Sequence, residues 1–241
     1  MIDLHCHILA GLDDGSPDIE SSILMADGLS TLGYRAVCCT PHNPWGAEVR
    51  DRELLYEKRE ALAMRLRNAG IPLVLLPGAE YHSSMVPELI QGDRLVSYPR
   101  EDTFMMELPL QGFPPRLDDL LFLLQVKGKR PVIAHVERYP EVQAGITVLS
   151  SLRERGCFFL VNISSLAGGW SREAQGTARQ LIKNGLVDAV STDLHSPDEL
   201  GNIKKGLTIL NELVGVKQAE VLTTRAPARI ALVNPDEFII G

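Results

Sequence analysis

A chain of 241 residues with 45% hydrophobic content carries enough apolar material for one sizeable core, and an α/β barrel fills about 250 residues as one unit. Its formal charge of −7 excludes a surface built to coat a polyanion, so no nucleic-acid partner is expected. A small phosphorylated substrate stays open, because bound cations supply local positive charge.

The N-terminus reads Met1-Ile2-Asp3-Leu4-His5, with no basic leader, and no run approaches the ~18 apolar residues of a membrane span; a cytoplasmic protein without a membrane span is expected. Cys6, Cys38, Cys39 and Cys157 show no CxxC spacing, and three lie in apolar strand-like runs, which reads as buried reduced thiols. A cysteine-dependent phosphatase needs C-x5-R, yet the residues six beyond these cysteines are Leu12, Pro44, Trp45 and Ile163.

In chain order, the pattern predicts a strand over Ile2–His5 and a helix over Ile19–Leu32, closed by Gly33. A strand over Ala36–Thr40 and a charged helix over Arg50–Asn68, ending at Gly70, come next. Strands over Leu73–Gly78 and Thr103–Leu108 precede a helix over Arg116–Lys127, which ends at Gly128. Then come a strand over Pro131–His135, a helix over Glu141–Arg155, a strand over Cys157–Ile163, a helix over Arg172–Lys183 and a strand over Val187–Thr192. A last helical region spans Pro197–Arg229. The strand runs are short, rich in Val, Ile, Leu and Phe, and mostly not alternating, as suits parallel strands buried on both faces. Glycine just past the helices is a C-cap signal. Repeated βα alternation with seven strands and no linker predicts an α/β fold, a distorted TIM-like (β/α)7 barrel forming a single domain over residues 1–241. An open doubly wound sheet is the alternative, weakened because no glycine-rich phosphate loop follows the first strand.

Metal-ligating residue types gather at the strand ends. In Asp3-Leu4-His5-Cys6-His7, extended residues two apart share a side, so His5 and His7 bind together while Cys6 points away. His42 follows the second strand, Glu80 the third, Glu107 lies near the end of the fourth, His135 ends the fifth, and Asp193 and His195 follow the seventh. In a barrel, that rim is where active sites form. Glu107 sits within Phe104-Met105-Met106-Glu107-Leu108, where a carboxylate needs a partner to offset its desolvation. Of Asp13 and Asp14, one ligates and the other turns the loop; His82 is read as an ordinary loop residue. Nitrogen and oxygen donors without thiolate suit Mn, Fe, Zn or Co. Nine donors exceed one ion and would fully serve three.

These residues together resemble the PHP (polymerase and histidinol phosphatase) superfamily. The matching pieces are Asp3–His7, Asp13-Asp14-Gly15, Thr40-Pro41-His42, Gly78-Ala79-Glu80, Glu107, His135 and Asp193-Leu194-His195. Ala134-His135-Val136-Glu137-Arg138-Tyr139 is similar to a signature of the bacterial protein-tyrosine phosphatases encoded with capsular and exopolysaccharide genes. The resemblance implies a seven-stranded PHP barrel with three divalent ions, often manganese. It implies His5, His7, Glu80 and Asp193 on one ion, Glu80, Glu107 and His135 on a second, and Asp14, His42 and His195 on a third, with Asp14 the ligating member of its pair. It further implies a phosphotyrosyl protein substrate such as a bacterial tyrosine kinase, and admits a homo-oligomer. Arg138 would hold a phosphate oxygen, the alternative being an arginine paired with Glu137 or Glu141. Two departures stand out: no basic residue follows His195 within Ser196–Leu200, and the loop Asn43-Pro44-Trp45-Gly46 lacks basic residues. A small-molecule phosphatase of the histidinol-phosphate type is the runner-up. A nuclease is disfavoured by the acidic charge, and a catalytically dead PHP binding module by the complete ligand set.

Overall fold

The computed structural model describes residues 1–43 and 52–234. The eight strands among the described residues are β1 Ile2–Cys6, β2 Ala36–Cys39, β3 Val74–Leu76, β4 Glu80–His82, β5 Thr103–Glu107, β6 Arg130–Ile133, β7 Phe158–Asn162 and β8 Ala189–Ser191. The helices among the described residues are α1 Ile19–Thr31, α2 Arg52–Asn68, α3 Val86–Gln91, α4 Leu117–Val126, α5 Pro140–Ala144, α6 Val148–Glu154, α7 Ile163–Leu166, α8 Arg172–Lys183, α9 Leu200–Glu220 and α10 Ala226–Ala231. The expected start of the second helix at Arg50 and loop residues 44–46 lie outside the described residues.

All strand pairings are parallel, in the orders β1-β2-β3 and β4-β5-β6-β7-β8. Two isolated bridges join these sheets, Cys6 of β1 with Leu194 beyond β8, and His42 beyond β2 with Glu80 of β4. Asp193 N–H donates to the His5 carbonyl at 2.8 Å and His7 N–H to the Leu194 carbonyl at 3.0 Å. The ring is therefore closed, which decides for the barrel over the open sheet.

Period-2 geometry divides each strand between two cores. Ile2, Ala36, Cys38, Met105, Val132, Leu160 and Ala189 fill the barrel interior. Val37, Cys39, Phe104, Met106, Ile133, Phe159 and Val190 face the surrounding helices. Both faces are apolar, so the strands read as continuous hydrophobic runs. α10 and Tyr98 seal the barrel floor: Ala228, Ile230 and Ala231 join the inner core, and Tyr98 hydroxyl donates to the Leu4 carbonyl at 2.8 Å.

Two sequence expectations need correction. The strand expected over Leu73–Gly78 is two strands, β3 pairing with β2 and β4 with β5. Pro77 has no N–H to give a ladder, and Gly78 lies so close to Thr40 that a Cβ would stand 3.0 Å from its methyl group. The helix expected over Glu141–Arg155 is α5 and α6, broken at the extended Gly145 (φ −172°). The region expected to be helical over Pro197–Arg229 is so throughout, as a 3-10 turn, α9, a π-helical turn and α10, with Gly215 at φ 77° and ψ 159° inside α9. α8 runs over the residues the sequence indicated, and the glycines closing the predicted helices, Gly33, Gly70, Gly128, Gly156 and Gly185, all have positive φ. No helix among the described residues is long and apolar enough to cross a membrane.

Candidate metal centre

Every sequence-predicted donor reaches the same mouth of the barrel, at the C-terminal ends of its strands. β1 contributes His5 and delivers His7 just beyond its end; the register irregularity between Asp3 and Cys6 accompanies that turn. Cys6 faces the outer core. Thr192 hydroxyl and N–H both donate to buried Asp3, lacing β1 to the segment that carries Asp193 and His195. Burial nevertheless pushes the Asp3 carboxyl up to about 6.

Glu80 lies at the middle. Its Oε2 stands 3.0 Å from His5 Nε2, 3.3 Å from His7 Nε2 and 3.2 Å from His42 Nδ1. Its buried Oε1 has no hydrogen-bond partner and faces His135 Nε2 at 3.4 Å. Asp193 Oδ1 stands 3.2 Å from His5 Nε2 and 3.4 Å from His7 Nε2. Glu107 is 4.0 Å from both His42 and His135, and exposed Asp14 is 3.7 Å from both His42 and His195. Donor atoms mutually within 4.8 Å form three groups: His5, His7 and Asp193; His42, Glu80 and Glu107; and His7, Asp14, His42 and His195.

The ring tautomers suit cation binding. Asp13 Oδ2 is 2.7 Å from His7 Nδ1, and a carboxylate can only accept there, so His7 keeps its proton on Nδ1 and turns a lone pair inward from Nε2. His195 Nδ1 similarly donates to the Asp193 carbonyl at 2.9 Å. Inward lone pairs, clustered carboxylates and an unpartnered buried oxygen on Glu80 form an oxygen–nitrogen set that fits hard or borderline divalent ions. The set draws positive charge. Burial works against protonating His7, yet its bonds to Asp13, Asp193 and Glu80 outweigh burial and hold its pKa well above the usual range. Burial also opposes ionising Glu80 and Asp193, but the histidines, with Arg138 for Asp193, hold both well below the carboxylate range. Burial and then the Glu80 charge push Glu107 up to about 7.

Two donors carry strained backbone. His135 has φ 35° and Asp193 φ 51°, a left-handed region unfavourable for both side chains. That backbone turns the chain sharply at the ends of β6 and β8 and aims both side chains into the mouth.

Arg138 pairs with neither Glu137 nor Glu141. Its Nη2 lies 3.0 Å from Asp193 Oδ2, and its guanidinium carbon lies 4.1 Å from the Trp170 ring centroid. Glu137 is instead fully buried, accepting from Ser165 hydroxyl at 2.6 Å and Asn162 N–H at 3.2 Å. Glu141 accepts from Phe113 N–H. His82 bonds Ser84 through Nδ1 and stands outside the donor groups.

Sequence reasoning missed three supporting side chains. Asp13, read as a loop-turning residue, accepts from Gly15 N–H and His42 N–H and also fixes the His7 ring. Asn162, at the end of β7, donates to Asp193 Oδ2 at 2.6 Å. The strand-end rule that found the other donors points to this position too, but an amide did not read as metal chemistry. Glu199 accepts from His195 N–H at 3.0 Å, in the stretch after His195 that lacks a basic residue. Arg138 is the single arginine or lysine lining the cavity of about 520 Å³ over the centre, among the described residues.

Comparison with known proteins agrees with this architecture. A family model described as capsular polysaccharide synthesis, CpsB/CapC, matches residues 1–232. The chain is 31% identical over 228 residues to the tyrosine-protein phosphatase YwqE of Bacillus subtilis, covering 94% of this chain and 90% of that protein. It is 23% identical over 239 residues to the tyrosine-protein phosphatase CpsB of Streptococcus pneumoniae, covering 96% and 98%. Among solved structures it matches one from a crystallographic study of YwqE and CpsB, described as unique metal-dependent tyrosine phosphatases, at TM-score 0.88 with 30% identity, covering 97% and 96%. A TM-score of 0.54 at 12% identity to the histidinol phosphate phosphatase of Lactococcus lactis, over 88% and 93% of the chains, reflects the shared fold alone. Matched across nearly its whole length, the chain belongs to the CpsB/CapC family.

Proposed function

We propose that this protein is a metal-dependent protein-tyrosine phosphatase that hydrolyses phosphotyrosyl monoesters at the barrel mouth. The observation that carries this reading is the gathering of nine nitrogen and oxygen donors at one barrel mouth, four of them histidines within 3.4 Å of the ninth, Glu80, with Arg138 over the same cavity. Three divalent ions are proposed, manganese first, with iron, zinc or cobalt able to satisfy the same donors. His5, His7, Glu80 and Asp193 would hold one, Glu80, Glu107 and His135 a second, and Asp14, His42 and His195 the third. The observed groups support this division in part: His42 lies with Glu80 and Glu107 as closely as His135 does. The substrate proposed is a tyrosine-phosphorylated kinase of polysaccharide synthesis; the family's description supports the process, and the tyrosine-phosphatase relatives support the phosphotyrosyl chemistry.

When bound, the ions supply Lewis acidity and lower the pKa of bound water toward neutrality. The chain's own residues do the rest. Asp13 locks His7 in its lone-pair-inward tautomer, and Asn162 holds the Asp193 carboxylate. Arg138 is mostly buried and presents a planar fork to the cavity, suited to phosphate oxygens. The four cysteines take no part: each is buried, and burial raises each thiol pKa.

The test is a manganese-supplemented comparison of phosphotyrosyl peptide, the matching phosphoseryl peptide and histidinol phosphate. Phosphotyrosyl hydrolysis should dominate and disappear after rigorous chelation. Activity surviving chelation sinks the metal scheme, and preference for histidinol phosphate moves the small-molecule reading ahead.

A further inference from the structure

The cavity over the metal centre is lined almost entirely by charged and polar groups. Its large apolar side chains, among the described residues, are Leu110 and Trp170. Both are exposed, Leu110 at 37% and Trp170 at 55%. Leaving an indole this exposed gives up much of the stabilisation that burial would provide, so its position calls for an account.

Trp170 is carried by a tightly built loop between α7 and α8. Gly169 N–H donates to the Ser164 carbonyl at 3.0 Å, and a Cβ on Gly169 would stand 3.0 Å from that same oxygen. Ser171 caps α8 by accepting from Ala174 N–H. Gln175 and Arg179 both donate to the Leu166 carbonyl from the α8 side. The loop is thus anchored at both ends, and the Arg138 guanidinium lies 4.1 Å from the indole centroid while binding Asp193. One arginine therefore links the metal centre to an exposed aromatic surface.

In an aryl phosphate the ring is one ester oxygen from phosphorus. A phosphate held at Arg138 and the metal centre brings its ring to the lip that Trp170 and Leu110 form. An alkyl phosphate has nothing to place there. We propose that Trp170, with Leu110, is the aryl-recognition surface that makes this site select aromatic over aliphatic phosphomonoesters. This rests on the phosphotyrosyl reading of the site and names the residue that sets its selectivity.

The test uses the manganese-loaded full chain with p-nitrophenyl phosphate as reporter, and phenylphosphonate and methylphosphonate as competitive inhibitors. These probes are not hydrolysed, so leaving-group reactivity does not enter. Wild type should bind phenylphosphonate about five- to tenfold more tightly, in the range of an aromatic pair. Trp170→Ala should bring that ratio close to one, and Trp170→Phe should keep most of it. A wild-type ratio near one, or an unchanged ratio in Trp170→Ala, overturns the proposal. A second measurement covers misfolding of the alanine variant. The chain has two tryptophans, so Trp45→Phe leaves Trp170 as the sole tryptophan, excited selectively over the tyrosines. Its emission should shift to the blue with phenylphosphonate and not with methylphosphonate; identical responses overturn the proposal. If wild type hydrolyses no phosphoester, the proposed function fails, and the emission titration still decides the aryl lip by itself.

Discussion

Asp13 is the clearest case of a single residue acting through another. Its Oδ2 lies 2.7 Å from His7 Nδ1 and also accepts from His42 N–H. Asp13→Asn would turn an amide N–H toward His7 in one of its two orientations, favouring the tautomer with the proton on Nε2, where a cation must bind. Metal affinity measured by competition titration should fall roughly 10- to 100-fold, with folding retained by circular dichroism. Wild-type affinity in Asp13→Asn would refute the orienting role. The thiols give a prediction of the opposite kind. Burial pushes Cys39 and Cys157 up to about 12. An acid whose folded pKa is raised holds its proton in the native chain after the unfolded chain has lost it, so stability falls as pH rises. The window opens near the unfolded thiol pKa of about 8.5 and runs to the folded value, at about 1.4 kcal/mol per pH unit for each thiol. Urea melts should therefore show a loss between pH 9 and 11 that is shallower in Cys157→Ala, and iodoacetamide at pH 8 should leave native activity intact. Rapid inactivation by iodoacetamide would return a cysteine to the mechanism. His5, His7, Glu80 and the other donors could be read from the sequence because metal chemistry restricts their residue types. Asn162 and Asp13 could not, since hydrogen-bonding supports draw on types common in any loop.

At the scale of elements, strand ends and helix stops follow local rules, while interruptions depend on distant neighbours. α8 and the glycine-closed helix ends were legible because apolar spacing and left-handed caps are local properties. The separation of β3 from β4 was not, because it depends on Gly78 meeting Thr40 just past the end of β2. The break between α5 and α6 at Gly145 was missed for another reason: one glycine inside a helical pattern is usually tolerated. The loop after β1 shows the same dependence on remote contacts. A Cβ on Gly15 would fall 2.4 Å from both the Cβ and the carbonyl oxygen of His7, so Gly15→Ala must move Asp13, Asp14 or His7. This overpacking should cost about 1–3 kcal/mol of stability. It should also lower phosphatase activity at least tenfold at saturating manganese, because a shift on the order of 1 Å at a catalytic centre is costly. Native activity together with a native melting temperature in Gly15→Ala would show that the loop absorbs the methyl group without moving its aspartates.

The whole molecule joins these scales by closing its ring through the site. The bridges Cys6 with Leu194 and His42 with Glu80, which complete the barrel, lie beside His5, His7, Asp193 and Glu80. Cations held across those positions would bind the native ring and not the unfolded chain, which would couple metal occupancy to global stability. At free metal one hundred times its dissociation constant, one site adds about 2.7 kcal/mol. For a chain of this size each kcal/mol moves the melting temperature by about 2–4 °C, so chelation should lower it by roughly 5–10 °C per tightly held ion. The barrel core below the mouth contains no donor and is sealed by α10, so the chelated protein should still unfold cooperatively. Glu80→Gln should melt well below wild type in the presence of manganese and toward the chelated protein, because two of the three proposed ions share Glu80. Differential scanning calorimetry of both proteins, with manganese and with chelator, decides the matter. A melting temperature indifferent to chelator, in protein shown by elemental analysis to carry metal beforehand, would uncouple the centre from ring closure.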